Sequence, residues 1–220
     1  MRVADFIADF IFEELNVKHV FMVTGAGIMH LTDGVASHPK LQAICPHHEQ
    51  TSSMAIDAYS RASENFGVGF FTSGPGGTNA VTGLCGAWQD SVPCLFISGQ
   101  VKKKETTNNA KIPGLRQFGV QELDMIPIVK YACKYATTLN DPNKVKYEFE
   151  KAVLIAKSGR PGPVWIQIPM DVQSSIIDET KLNGFEHDDV IPTVSDDEVN
   201  KIIKLLKKSK RPVIIAGQGI

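Results

Sequence analysis

The sequence predicts an α/β protein: an open, doubly wound, mostly parallel sheet of about six strands with helices on both faces. Three observations predict it. Short apolar runs alternate with helical patterns along the chain, which is the sign of βαβ units. The runs are almost entirely apolar, as befits strands covered on both faces. Glycine-rich turns follow the runs, where open parallel sheets bind their ligands.

The elements follow in order. Val3, Phe6, Ile7, Phe10, Ile11 and Leu15 recur at helical spacing. His19 to Val23 reads as a strand, Gly25 and Gly27 as a turn, and Ile28 to Val35 as a second helix. Leu41 to Cys45 is strand-like. Glu49 to Arg61 favours helix, with Met54, Ala55, Ala58, Tyr59 and Ala62 as the expected buried side. The next unit repeats the form: strand Gly67 to Phe71, glycine-rich turn Ser73 to Gly77, helix Thr78 to Gln89 and strand Cys94 to Ser98. The polar stretch Lys102 to Arg116 reads as a long, mobile, functional loop. Lys144 to Lys157 is a helix and Val164 to Ile168 a strand.

Composition shifts after Val172. Residues 1–172 read as one domain and 173–195 as a polar linker. Residues 196–220 read as the start of a second domain, with a helix over Asp196 to Lys208 and a strand over Val213 to Ala216. A βα fold does not stop on its first strand and glycine turn, so the sequence is expected to break off just inside that domain.

The bulk properties exclude several functions. A net charge of -1 attracts neither nucleic acid nor an anionic membrane. No apolar run is long enough to span a bilayer. The first ten residues carry Asp5 and Asp9 within their apolar pattern, which is an amphipathic helix and not a signal peptide. Cys45, Cys85, Cys94 and Cys133 form no CxxC pair and read as reduced thiols of a cytoplasmic protein. A zinc site on His47, His48 and Glu49 is rejected, because the HExxH pattern needs a histidine where Ser52 stands.

Two features carry chemistry. Thr72-Ser73-Gly74-Pro75-Gly76-Gly77-Thr78-Asn79 brings backbone close to something at a helix N-terminus, where free amides suit an acceptor or anion. Tight strand–helix packing explains such a turn equally well. It is not a Walker loop, since no Gly-Lys-Ser/Thr follows, and Gly25-Ala26-Gly27 is not a Rossmann fingerprint, since position 30 is His. Glu49 follows an apolar strand and opens a helix. It reads either as a first-turn acid favoured by the helix dipole or as a working carboxylate.

Several ordered strings resemble one family. These are His48-Glu49-Gln50 with Tyr59-Ser60-Arg61, then Thr72 to Asn79, then Asp90-Ser91-Val92-Pro93 running to Gly99-Gln100-Val101. Ser158-Gly159-Arg160-Pro161-Gly162-Pro163-Val164 follows, with Pro169 and Asp171-Val172. Together they resemble the N-terminal, pyrimidine-binding domain of thiamine-diphosphate-dependent enzymes of the acetolactate-synthase group. The likeness covers residues 1–172, and the tail from Asp196 resembles the start of the family's central domain.

The resemblance implies that Glu49 contacts a ring nitrogen of the cofactor's aminopyrimidine and shares a proton with it. It implies Thr24, Gly25, Glu49, Ser73, Gly74, Pro75 and Asn79 as cofactor-binding residues, and Gln121 as a second catalytic residue beside the substrate. The implied reaction is decarboxylation of a 2-oxo acid, pyruvate first, and transfer of the acyl unit to an acceptor. A homo-oligomer, at least a dimer, is implied for the complete protein, because the family's cofactor lies between subunits. Mg²⁺ and the diphosphate would be held by a C-terminal domain whose Gly-Asp-Gly signature these residues lack, so this stretch alone is expected to be inactive.

There are departures. Val23-Thr24-Gly25-Ala26 stands where acetolactate synthases usually have Tyr-Pro-Gly-Gly, and Val120-Gln121-Glu122 where they have Phe-Gln-Glu. The loop after Val101 is longer than usual. The paired histidines of pyruvate-decarboxylase-like members are absent from it, which argues against simple aldehyde release. Arg160 matches an arginine that touches FAD in many acetolactate synthases, and the same motif occurs in members without FAD, so FAD stays open. Other readings are a degenerate, regulatory copy of the same domain, and an unrelated nucleotide-binding protein, which would need a phosphate loop.

Overall fold

A computed structural model describes residues 1–63, 65–187 and 194–217. It forms two compact units, Met1–Phe185 and Glu186–Ile220. The first contains α1 (Val3–Glu13), β1 (His19–Met22), α2 (Met29–Ser37), β2 (Gln42–Ile44), α3 (Glu49–Ser63) and β3 (Gly67–Phe71). It continues through α4 (Pro75–Asn79), α5 (Val81–Gln89), β4 (Cys94–Gln100), α6 (Thr107–Ala110), α7 (Ile126–Val129) and β5 (Tyr135–Thr138). It ends with α8 (Val145–Lys157), β6 (Val164–Pro169) and α9 (Met170–Gln173).

The six strands form one parallel sheet in the order β2-β1-β3-β4-β6-β5. This is the doubly wound α/β fold expected from sequence. Successive residues of a strand point to opposite faces, and the two faces have separate cores. Leu95 and Ile97 of β4 and Val164, Ile166 and Ile168 of β6 pack under α1, α2 and α8. Cys94 and Phe96 of β4, Trp165 of β6 and Phe71 of β3 pack under α3, α5 and α7. On that second face Phe96 stacks on Trp165 with ring centroids 5.5 Å apart, and Phe71 stacks on both. The buried Trp165 indole N–H donates to Ser98 Oγ at 2.8 Å, which satisfies its polar atom.

The sixth strand is β5, which the apolar pattern does not reveal. Its residues Tyr135, Ala136, Thr137 and Thr138 are all half-buried at the sheet edge, so no run of apolar side chains was needed. Helix 78–89 of the sequence reading begins earlier. Pro75 sits in the first turn of α4, where its missing N–H costs nothing, and only Thr72 to Gly74 remains as turn. The stretch Lys102 to Arg116 holds a 3₁₀ turn over Lys103–Glu105 and the short α6.

The buried side of α3 differs from the expected one. Ser52, Ser53, Ile56 and Ser60 are buried, whereas Met54, Ala58 and Ala62 are exposed, and Ala55 and Tyr59 are half-buried. Close approach and not apolarity selected these residues. A Cβ on Gly67 would come within 2.2 Å of Ile56 O, and one on Gly69 within 2.2 Å of Ile56 Cδ1. A Cβ on Gly83 of α5 would come within 2.3 Å of Ser53 Oγ. Serines fit where the helix lies this close to its neighbours.

Residues 173–185 are part of the first unit. Ile177 and Leu182 are buried, and Ile177 exchanges hydrogen bonds with Met1. In the second unit α10 (Asp196–Lys208) starts on a Ser195–Glu198 capping box. The strand expected over Val213 to Ala216 is not formed. It has no strand partner among the described residues, and Val213, Ile214 and Ile215 are exposed.

Two of the family-like strings serve this packing. Ser60 Oγ accepts the Gly67 N–H at 2.7 Å and donates to Pro93 O at 3.1 Å, joining α3 to β3 and to the turn before β4. Arg61 bonds both Asp57 oxygens and reaches Asp90 Oδ2 at 2.7 Å. Ser60→Ala leaves two backbone groups without this partner and is expected to cost about 1–3 kcal/mol. Arg61→Ala breaks a partly solvated pair and should cost about 1 kcal/mol or less. Thermal melting checks both, and an Arg61→Ala loss larger than that of Ser60→Ala would overturn the ranking.

Candidate functional site

The strand order reverses between β1 and β3. The chain leaves β1 for β2 on one side and later leaves β3 for β4 on the other. Loops at such a switch point splay apart outside the strand C-termini and leave a crevice. The residues singled out in the sequence meet there.

The two loops touch because glycine permits it. A Cβ on Gly25 would lie 2.5 Å from Thr72 Oγ1, and one on Gly27 would lie 2.8 Å from both Ser73 N and Ser73 Oγ. The Thr72 hydroxyl accepts the Gly27 N–H at 3.1 Å. Ser73 is buried against Gly27, while Thr24 and Pro75 stay exposed at the rim. Gln173 fastens the β1 loop from below, donating to Gly27 O at 2.7 Å and Ile168 O at 2.9 Å.

Glu49 enters from the start of α3. It is half-buried, and its Oε2 accepts a hydrogen bond from Asn79 Nδ2 at 3.1 Å. Its Oε1 faces Gly76, where a Cβ would lie 3.5 Å from that oxygen and 2.6 Å from Thr72 Cγ2. One carboxylate oxygen is thus held while the other lies beside Gly76, where the Thr72 methyl leaves no room for a side chain. Among the described residues Glu49 has no ion-pair partner within 4.0 Å.

Gln121 reaches the same turn through its backbone. Gly74 has φ 59°, a region open to glycine, and a Cβ there would meet Gln121 O at 2.2 Å. The Gln121 side chain is exposed. The structure therefore brings Gly25, Glu49, Ser73, Gly74 and Asn79 into one cluster of turns with Gln121 at its edge.

Two residues outside the sequence-based selection belong to the cluster. Thr72 faces Gly25, Gly27 and Gly76 together. Its signal was its position, the first polar residue after the apolar strand β3. Glu122 accepts the Thr107 N–H and hydroxyl on Oε1, at 2.5 and 2.8 Å, and the Phe118 and Gly119 N–H on Oε2, at 2.9 and 3.3 Å. Partial burial pushes its pKa up, but these donors outweigh burial and hold it below the usual glutamate range. Glu122 also borders a polar cleft of about 290 Å³ with Lys103, Asn109, Asp124 and Asn140.

Among the described residues no group of three or more His, Cys, Asp or Glu could hold a metal ion. No described helix is long and apolar enough to cross a membrane.

The chain is similar to known proteins. Residues 1–127 match the family described as thiamine pyrophosphate enzyme, N-terminal TPP binding domain. The mitochondrial acetolactate synthase of Schizosaccharomyces pombe is 33% identical over 216 residues, covering 93% of this chain and 31% of that protein. The acetolactate synthase large subunit of Lactococcus lactis is 34% identical, covering 94% of this chain and 35% of that protein. A probable acetolactate synthase large subunit of Methanococcus aeolicus is 36% identical, with 94% and 34% covered. The chain spans about a third of the length of these curated relatives. It belongs to the thiamine pyrophosphate enzymes and carries their N-terminal TPP-binding domain.

Proposed function

We propose that the complete protein decarboxylates a 2-oxo acid, pyruvate first, and transfers the acyl unit to an acceptor, as an acetolactate-synthase-like enzyme. The single observation that carries this reading is Glu49, oriented by Asn79 on one oxygen and facing Gly76 with the other.

The residues at the crevice fit the aminopyrimidine end of thiamine diphosphate. Glu49 and Asn79 offer polar contacts, Gly25, Gly74 and Gly76 let the turns close on one another, and Thr24, Ser73 and Pro75 complete the turns. When bound, the cofactor supplies the carbon nucleophile and the electron sink for decarboxylation. Glu49 holds a proton at Oε1 for a ring nitrogen and so sets the cofactor's protonation state. Gln121 offers its exposed amide to the substrate. Mg²⁺ and the diphosphate are assigned to a further domain of the complete protein. Four free cysteines support a reducing, cytoplasmic setting.

FAD has one supporting feature. Arg160 donates to Ser91 Oγ at 2.7 Å and to Gln89 O at 3.3 Å, beside a cavity of about 460 Å³ that Trp88, Lys134 and Gly159 help to line. The absorption spectrum of the purified complete protein decides the matter, since a bound flavin is coloured and a protein purified without one would remove FAD from the reading.

Glu49→Gln keeps the size of the side chain but cannot share a proton. In the complete enzyme it is expected to lower turnover about a hundred- to ten-thousand-fold. Slow exchange of the thiazolium proton with a near-unchanged melting curve supports the role. Normal exchange with a lowered melt would leave Glu49 as a helix-dipole residue worth roughly 0.3–1 kcal/mol.

The complete protein is expected to be at least a homodimer, because this crevice forms only one wall of a cofactor site. Light scattering that finds an active monomer would contradict this assembly.

A further inference from the structure

The turn carrying Gln121 is conformationally demanding. Gln121 has φ 57°, in the left-handed region, which is unfavourable for a residue that bears a side chain. Its carbonyl is pressed against Gly74, whose own φ is 59°. Its exposed side-chain amide has no hydrogen-bond partner among the described residues that would offset this cost.

The offset comes from the next residue. The Glu122 carboxylate collects four donors from two directions, Thr107 on one oxygen and Phe118 with Gly119 on the other. Hydrogen bonds to an ionised acceptor are roughly twice as strong as neutral ones. The Glu122 N–H also donates back to Gly119 O at 3.3 Å, closing the turn around Gln121. Gly119 cannot retreat, because even a Cβ there would lie 2.8 Å from Val101 Cγ2 and 2.9 Å from Glu105 O. The loop before the turn and the turn itself are therefore tied together at one carboxylate, and the Gln121 carbonyl of that turn lies against Gly74.

We propose that Glu122 is a positioning residue for the reaction: its carboxylate holds Gln121 left-handed against the Gly74 turn and thereby sets where the Gln121 amide stands in the site. The inference rests on the reading of Glu49 and the Gly74 turn as the cofactor wall. A purely structural Glu122 would affect melting alone. A positioning Glu122 acts on catalysis only through Gln121.

The test is a double-mutant cycle in the complete, cofactor-loaded protein, with Glu122→Gln, Gln121→Ala and both together. Glutamine at 122 places an N–H group against one pair of donors and opens the clamp. Glu122→Gln is expected to lower kcat/KM for the 2-oxo acid about ten- to a hundredfold, with thiazolium proton exchange unchanged. Tryptic cleavage within 102–116 should become faster. In the Gln121→Ala background the same change should add nothing to the loss of kcat/KM. Additive losses would overturn the proposal, and so would an unaffected kcat/KM in either single variant. If Glu122→Gln does not fold, Glu122→Asp, one methylene shorter, replaces it in the cycle under the same criteria. Failure of the cofactor reading is seen separately, as normal thiazolium exchange in Glu49→Gln.

Discussion

The contact between the β1 and β3 loops is the constraint on which the candidate site depends. Gly25 and Gly27 lie against Thr72 and Ser73 at distances that leave no room for a side chain on either glycine. The Thr72 hydroxyl, accepting from Gly27, fixes the register of the two loops. Thr72 then serves as the shared wall: it faces Gly25 on one side and Gly76 on the other. Because Gly76 belongs to the first turn of α4, the same contact sets the distance from α4 to Glu49. Separating the loops would break the Gly27–Thr72 bond and shift Gly76 relative to Glu49.

Much of this was legible in the sequence. The core strands announce themselves as apolar runs, because a strand covered on both faces has no polar position to spare. The glycine turns are visible because only glycine tolerates the approach. Features whose physical basis is proximity were hidden. The edge strand β5 is half-buried and spells Tyr-Ala-Thr-Thr, so no apolar run marks it. The buried side of α3 is mostly serine, because the glycines of β3 and α5 bring their backbones close. A reading that equates burial with apolarity turns that helix the wrong way. The role of Glu122 was equally hidden, since its four donors come from residues up to 15 positions away.

The family-like strings divide by what their residues touch. Tyr59-Ser60-Arg61 and Asp90-Ser91-Val92-Pro93 are tied to each other through Arg61–Asp90 and Ser60–Pro93. The Arg160 string is tied to the second of these through Ser91. These three fasten α3 and the end of α5 to the chain entering the interior strands β3, β4 and β6. His48-Glu49-Gln50 and Thr72 to Asn79 instead converge on the crevice, through Glu49 and Asn79. Similarity along a chain therefore mixes two kinds of information, and only the hydrogen-bond partners separate them.

The environment of Glu49 bears on which of its two readings fits better. A first-turn acid that merely favours a helix dipole needs no partner beyond solvent. Asn79, from a different helix, nevertheless donates to one of its oxygens. A carboxylate placed to neutralise a neighbouring charge would have a cation beside it, and among the described residues none lies within ion-pair distance. Such a cation would favour the ionised form and oppose proton sharing. What remains is a carboxylate oriented by a neutral amide, with its second oxygen beside Gly76 and Thr72. The amide fixes the orientation of the carboxylate across two helices. That orientation is what the proposed exchange of a proton with a heteroaromatic nitrogen would require, whereas a helix that only needs its dipole balanced does not call for it.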